Sequence, residues 1–336
     1  MLTATHLTKV FAGDVRAVRD VSFTLDPGRI MALVGESGSG KSTLLALLAG
    51  QADADTGDIT LDGVRVPGPS EVLVAGHPQI RLVPQEYQLM PNISVRENVA
   101  YALRYFEKEY RDFRVNELLR LCRLTDVQGR LPRQVSGGEK QRTAIARAVA
   151  SKPDDGQSTV LLLDEPFSHL DLPNRLIVRD LLFNLVQHDK MACLLVTHDA
   201  TDALSIADSL GVLRQGKLIQ LDTPANVYRY PTTAYAARMT GAATILKAKH
   251  LPVLNLPGGD NPEALVCLRP EQIKLSEAGV NGTVRAVFFR GSYSEVDVEV
   301  SRYVCLRLLT TRTDLRAGQS VRVDVAAESL WWLKGG

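Results

Sequence analysis

Residues 30–50, IMALVGESGSGKSTLLALLAG, decide the fold. The apolar run Ile30–Val34 is too short for a helix and reads as a strand buried on both faces. The stretch TLLALLAG has a helical pattern that stops at Gly50. Between them, Gly35-Glu-Ser-Gly-Ser-Gly-Lys-Ser42 fits the pattern GxxxxGK[ST]. The small residues Ser37, Gly38, Ser39 and Gly40 let the backbone curl until successive N–H groups point inward. The helix that follows adds partial positive charge at the same place, so the loop from Gly35 to Thr43 is a ready anion site. Lys41 is long enough to reach the β- and γ-phosphates of a nucleotide such as ATP, and the hydroxyl of Ser42 is a ligand for Mg2+.

The pattern continues on both sides of this segment. Upstream, short alternating runs such as VSFTL at 21–25 predict antiparallel strands, turning at Ala12-Gly13-Asp14 and Asp26-Pro27-Gly28. Residues 86–150 carry apolar residues at three- and four-residue spacing, as in RENVAYALRYF and VNELLRLCRL, and read as mostly helical. From residue 160 strands and helices alternate: Val160–Leu163, Asn174–Gln187, Ala192–Thr197, Asp202–Ala207. A hairpin follows, Leu210–Arg214 and Lys217–Gln220, turning at Gln215-Gly216. Such alternation implies a largely parallel sheet covered on both faces.

Two further stretches carry chemistry. Val160-Leu-Leu-Leu-Asp-Glu-Pro166 is an apolar strand ending in two carboxylates. Asp164 is placed to hold Mg2+ and Glu165 to polarise an attacking water. Val135-Ser-Gly-Gly-Glu-Lys-Gln-Arg142 precedes the helical run TAIARAVA. Its short side chains leave N–H groups and the Ser136 hydroxyl at a helix start, a second anion site.

With these motifs in this order the chain resembles the ATP-binding-cassette (ABC) ATPases, importer type. The family's signature LSGGQ appears here with Val135 for Leu and Glu139 for Gln, its Ser136-Gly137-Gly138 core intact. The resemblance implies that the signature loop of one subunit closes on the γ-phosphate held by the phosphate loop of a second, most simply an identical one. It also implies roles for single residues. Gln85, in LVPQEYQLMP, corresponds to the Q-loop glutamine that senses Mg2+ and the attacking water and links to the membrane partner. Asp171, in Ser168-His-Leu-Asp171, corresponds to the D-loop aspartate facing the other subunit, with His169 where the family usually has Ala. His198 corresponds to the switch histidine on the γ-phosphate. Phe11 corresponds to the aromatic residue stacked on adenine, with Val18 packed beside the base or sugar.

The resemblance covers about residues 1–235, a nucleotide-binding domain with its helical subdomain at about 86–155. Residues 236–336 carry short β-like segments, GTVRAVFF (282–289) and SEVDVEV (294–300), between turns. Cys267-Leu-Arg-Pro-Glu-Gln-Ile-Lys-Leu275 is similar to the regulatory TOBE domain of importer ATPases. The expected fold is therefore α/β: a P-loop core with an antiparallel β subdomain, a mainly parallel RecA-like sheet and a helical subdomain, plus a small all-β OB/TOBE-like domain. The resemblance implies an ATP-hydrolysing subunit working with transmembrane permease subunits and, indirectly, a substrate-binding protein. Ferric iron, inorganic anions, polyamines and sugars are the cargoes of such systems. The alternatives are an exporter or extraction cassette, whose chains stop soon after the 210–220 hairpin, and a soluble non-transport cassette.

Composition narrows the partners. The formal net charge is +1, without the basic excess of a nucleic-acid binder, so none is expected. No apolar stretch approaches the roughly 18 residues of a spanning helix, and the start has no signal-peptide pattern, which places the expected protein on the cytoplasmic face of the membrane. The four cysteines, Cys122, Cys193, Cys267 and Cys305, show no CxxC spacing and read as buried or idle thiols. Residues 64–80 and Asp154–Ser158 read as loop insertions.

Overall fold

Alternating buried and exposed residues build two long strands at the start of the chain. These are β1 (Leu2–Phe11) and β2 (Val15–Leu25), paired antiparallel across the Ala12-Gly13-Asp14 turn. This computed structural model describes residues 1–151 and 158–334, in two compact units, Met1–Pro224 and Ala225–Gly336. Of the expected insertion Asp154–Ser158, all but Ser158 lies outside the described residues.

In the first unit β3 (Ile30–Val34) is buried at every residue and leads through the glycine-rich loop into α1 (Lys41–Leu48). β4 (Thr56–Leu61) and β5 (Val64–Arg65) complete an antiparallel sheet in the order β2-β1-β4-β5. Residues 66–79 form neither strand nor helix and lead into β6 (Ile80–Val83). The helical region follows: α2 (Val95–Tyr101), α3 (Lys108–Leu121) and α4 (Gly137–Ala148). The helix expected to run through Phe106 ends at Tyr101. Tyr101, Tyr105 and Phe106 are exposed, while Leu103 is fully buried from a turn outside the helix.

The chain then alternates β7 (Val160–Asp164), α5 (Leu172–Asp189), β8 (Ala192–Thr197) and α6 (Ala200–Ile206), and closes with the hairpin β9 (Ser209–Arg214) and β10 (Lys217–Asp222). The sheet order is β10-β9-β3-β8-β7-β6, parallel except for β10. Its register positions the chemistry. Val34 pairs with Thr197, Val196 with Asp164, and Leu163 with Val83. The loops leaving β3, β8, β7 and β6 therefore open at one edge, the carboxyl ends of the strands, where ligands of such sheets bind. Residues 66–79 enter β6 at the opposite, amino edge.

The second unit contains α7 (Pro224–Arg229, its first residue shared with the first unit), α8 (Ala234–Met239), β11 (Thr244–Lys247), β12 (Leu265–Leu268), β13 (Ile273–Phe289), β14 (Ser294–Ser301), β15 (Val304–Thr310), β16 (Ser320–Val325) and β17 (Trp331–Trp332). The strands form two antiparallel sheets, β11-β12-β17 and β15-β14-β13-β16. β13 bulges where Val323 pairs with both Leu275 and Val280. A Cβ on Gly279 would lie 2.1 Å from the Val323 carbonyl oxygen, so only glycine fits that bulge. Arg269 is 2% exposed. Its guanidinium donates to the carbonyls of Tyr228 (2.6 Å), Ala237 (2.9 Å) and Ala242 (3.1 Å) and to the Thr240 hydroxyl (2.9 Å), fastening the segment that bears α7 and α8 to this unit.

Candidate functional site

A cleft of about 920 Å³ opens at the carboxyl edge of the parallel sheet. Ser37, Gly38, Gly40, Lys41, Ser42 and Thr43 line it, with Gln85, Asp164, Glu165 and His198 arriving from three other strand ends. Ser39 is buried beneath the loop, and Gly35 starts the turn. Gly40 adopts φ 102°, and a Cβ there would fall 2.0 Å from the Ala17 carbonyl oxygen, so the loop passes β2 only because this residue has no side chain. The Gln215-Gly216 turn braces the loop: Gly216 N–H donates to Ser39 O (2.9 Å), and Gly216 O accepts from Arg19 N–H (2.8 Å).

Lys41 is 7% exposed, and its ammonium donates to the carbonyls of Gly35 (2.7 Å) and Glu36 (3.0 Å). Burial lowers its pKa, against the pull of the Glu165 and Asp164 carboxylates. Asp164 shows the opposite displacement. Burial and the adjacent Glu165 raise its pKa, while a hydrogen bond from Ser42 and the charge of Lys41 hold it back. Glu165 sits at φ 51°, its N–H donating to Val196 O (2.9 Å) and its carbonyl accepting from the Ser168 hydroxyl (2.8 Å). Both of its carboxylate oxygens lie 2.9 Å from Nδ1 of His198.

Two residues expected near a base lie differently. Val18 is fully buried in the core, and Ala17 lines the cleft instead. The β1–β2 register slips here: Lys9 pairs with Val18 and Val10 with Arg16, leaving Ala17 between partners. Phe11 is not among the lining residues. It is 48% exposed and pairs with Val15, which does line the cleft, so it stands at the rim.

Ser136, Gly137, Gly138 and Asp171 gather in a second cluster, apart from the cleft lining. Ser136 caps α4, its hydroxyl oxygen accepting from Glu139 N–H (3.3 Å). The Glu139 carboxylate in turn accepts from Ser136 N–H (2.7 Å) and its hydroxyl (2.9 Å), a reciprocal capping box. Burial works to raise the Glu139 pKa, but these hydrogen bonds and the charges of Arg142 and Arg130 bring it below the usual range. Asn174 joins this turn to the Asp171 loop. Its Oδ1 accepts from Arg142 (2.7 Å), and its Nδ2 donates to Asp171 Oδ1 (2.7 Å). Arg175 ties Leu170 O (3.1 Å) to Asp199 (3.1 Å) and Asp202 (3.3 Å), just beyond His198.

Sequence reasoning missed Asn174, Arg142, Arg175 and the cleft-lining Arg16 and Arg19. The register slip in β2 hid the last two, and Asn174, Arg142 and Arg175 owe their places partly to contacts with segments distant in the chain. A second groove, about 630 Å³, runs between the 74–83 segment and the helical region. Its charged lining is Arg81, Arg104 and Arg147, beside His77 and without a carboxylate.

Comparison with known proteins gives the family of the chain. Residues 18–168 match the ABC transporter family, and residues 266–333 match the TOBE domain. The Fe(3+) ions import ATP-binding protein FbpC of Haemophilus influenzae is 30% identical, over 99% of this chain and 98% of that protein. The sulfate/thiosulfate import ATP-binding protein CysA of Synechococcus elongatus is 38% identical, over 85% of this chain and 80% of that protein. The spermidine/putrescine import ATP-binding protein PotA of Pseudomonas aeruginosa is 36% identical, over 88% and 84%. Among solved structures, a dimeric ATP-binding cassette in a post-hydrolysis state with ADP and Pi is 27% identical, with a TM-score of 0.59 over 67% of this chain and 99% of that one.

Proposed function

The chain is an ATPase of the ABC transporter family, and from that premise we propose that it is the energising subunit of a membrane importer, working as a pair of identical cassettes. The observation that carries the paired reading is the separation of the two anion sites. The phosphate loop lines one cleft, while Ser136–Gly138 cap α4 in a different cluster. A second copy brings its own turn to the open side of the cleft.

Within that pair the residues divide the work of phosphoryl transfer, which rests on positioning and charge neutralisation. The N–H groups of Gly38 to Ser42 and the Lys41 ammonium hold the β- and γ-phosphates. Glu165 orients and polarises the attacking water, and His198 fixes the Glu165 carboxylate and contacts the γ-phosphate. Phe11 at the rim stacks on the base. The donor set fits Mg2+: the Ser42 hydroxyl, the Gln85 amide oxygen and the Asp164 carboxylate are hard oxygen ligands, and the raised proton affinity of Asp164 is that of a buried carboxylate short of positive charge. When bound, Mg2+ supplies neutralisation of phosphate charge.

The arginine-lined groove beside the Gln85 loop supports docking of a permease subunit carrying acidic groups. Among the described residues no helix is long and apolar enough to cross a membrane, so the proposed place of the chain is peripheral, on the cytoplasmic face. The cargo is proposed from the relatives' named substrates: ferric iron or an inorganic anion first, then a polyamine. The test has two parts. Affinity purification from detergent-solubilised membranes is expected to recover spanning subunits with the chain, and recovery of soluble partners alone overturns the importer reading. Uptake of labelled iron, sulfate and putrescine by a deletion strain then names the cargo.

A further inference from the structure

Tyr87 lies two residues beyond Gln85, at a point where the chain is held in an unusual shape. Tyr87 has φ 61° and Gln88 φ 47°, left-handed conformations that non-glycine residues seldom keep unless surrounding contacts hold them. Arg147, in the last turn of α4, supplies those contacts. Its Nη1 donates to Gln88 O (2.8 Å) and its Nη2 to Tyr87 O (3.1 Å). The planar fork of a guanidinium suits two adjacent carbonyls, whereas an ammonium is a single point. The other end of Tyr87 reaches the first turn of the same helix. The Tyr87 hydroxyl is the group outside α4 that a Cβ on Gly137 would meet, at 3.8 Å, so the phenol occupies the space beside that glycine. Helical side chains lean toward the N-terminus, which lets Arg147 reach back along α4 while the phenol spans the rest.

We propose that Tyr87 and Arg147 are positioning residues that tie the Gln85 loop to the signature turn, so that nucleotide at Gln85 in one subunit sets the pose of the Ser136–Gly138 turn offered to the other. The consequence for the partner subunit rests on the paired reading above; the link within one chain does not. Gln85 senses the occupied cleft, Tyr87 moves with it as the same short segment, and its hydroxyl fills the space beside the residue that follows the Ser136 cap. Burial raises the Tyr87 pKa and lowers that of Arg147, in keeping with two groups that have given up water for these contacts.

Hydrogen exchange of the backbone amides at residues 137–139, with and without ATP, tests the link in Glu165→Gln protein held below the concentration at which light scattering detects pairing, so that no second copy covers the turn. Tyr87→Ala and Arg147→Ala are expected to abolish the ATP-induced change in exchange, with Tyr87→Phe and Arg147→Lys intermediate. Affinity for a fluorescent ATP analogue stays within about twofold, since the phosphate loop is untouched. An ATP-induced change of the same size in all variants overturns the proposal. So does a parallel loss of analogue affinity in which Tyr87→Phe behaves as Tyr87→Ala, because the residue then supports the fold rather than the turn. ATP-dependent dimerisation of Glu165→Gln, followed by light scattering, is scored separately: its failure sinks the paired reading and leaves exchange to decide the link.

Discussion

His198 Nδ1 stands 2.9 Å from both carboxylate oxygens of Glu165, so the two residues that end β7 and β8 hold each other above the phosphate loop. Glu165→Gln is expected to lower kcat by about a hundred- to ten-thousand-fold, the range for a lost general base. It should bind ATP normally. His198→Ala, which frees the carboxylate and removes the proposed γ-phosphate contact, is expected to cost about a hundredfold. Single-turnover hydrolysis checks both, and a Glu165→Gln rate within tenfold of wild type removes Glu165 from the role of base.

Asp164 gives a pH signature. Its folded pKa is raised, so between the unfolded value and the folded one the native state binds more protons than the unfolded state. Stability therefore falls as pH rises through that window and stays reduced above it. Asp164→Asn should melt at a higher temperature than wild type at pH 7 in nucleotide-free protein, with the gain shrinking as pH falls toward 4, and hydrolysis should be lost. Calorimetry across that range checks the sign; a constant difference at all pH values contradicts it.

Glu139 sets up a contrast between shape and charge. Glu139→Gln retains the partners of the capping box but removes a negative charge from a turn proposed to meet a phosphate. The ATP concentration for half-maximal hydrolysis should fall by about three- to tenfold, roughly 1 kcal/mol of relieved repulsion. Glu139→Ala breaks the box and should destabilise the protein by about 1 kcal/mol. Steady-state kinetics and urea unfolding separate the two effects, and an unchanged half-maximal concentration in Glu139→Gln argues against a phosphate at this turn.

Arg269 concerns the second unit alone. Arg269→Met strands several buried acceptors and should destabilise that unit by about 3–5 kcal/mol. Both tryptophans of the chain, Trp331 and Trp332, lie in this unit, so tryptophan fluorescence during urea unfolding reports it directly. Binding of ATP to the first unit should persist, and an unfolding midpoint equal to wild type contradicts the assignment.

The cleft was legible in sequence wherever its parts are continuous. Strand, loop and helix follow one another from Ile30 to Leu48, and the carboxylates of Asp164 and Glu165 end an apolar run, so local pattern placed them. The faces of β2 were not legible, because a register slip beside Lys9 and Val10 turns Ala17 rather than Val18 to the cleft. Tyr87 with Arg147, and Asn174 with Arg142, join segments far apart in the chain, where periodicity says nothing about who meets whom.

The segment 66–79 has a use that its lack of chemistry conceals. It is anchored by the Ser70 hydroxyl on Asp53 (2.7 Å), by Arg65 on Glu71 (2.8 Å) and, near its end, by Gly76 N–H on Gly50 O (2.9 Å) and His77 N–H on Ala49 O (3.2 Å), while Leu73 between these points projects fully into solvent. Because β6 runs parallel to its neighbours, this segment joins the sheet at the rim remote from nucleotide. The chain beside Leu73 is accordingly a natural port for an inserted epitope or a fluorophore: evolution, or an engineer, can change the chain's length there without resetting the spacing of the groups proposed to close on ATP.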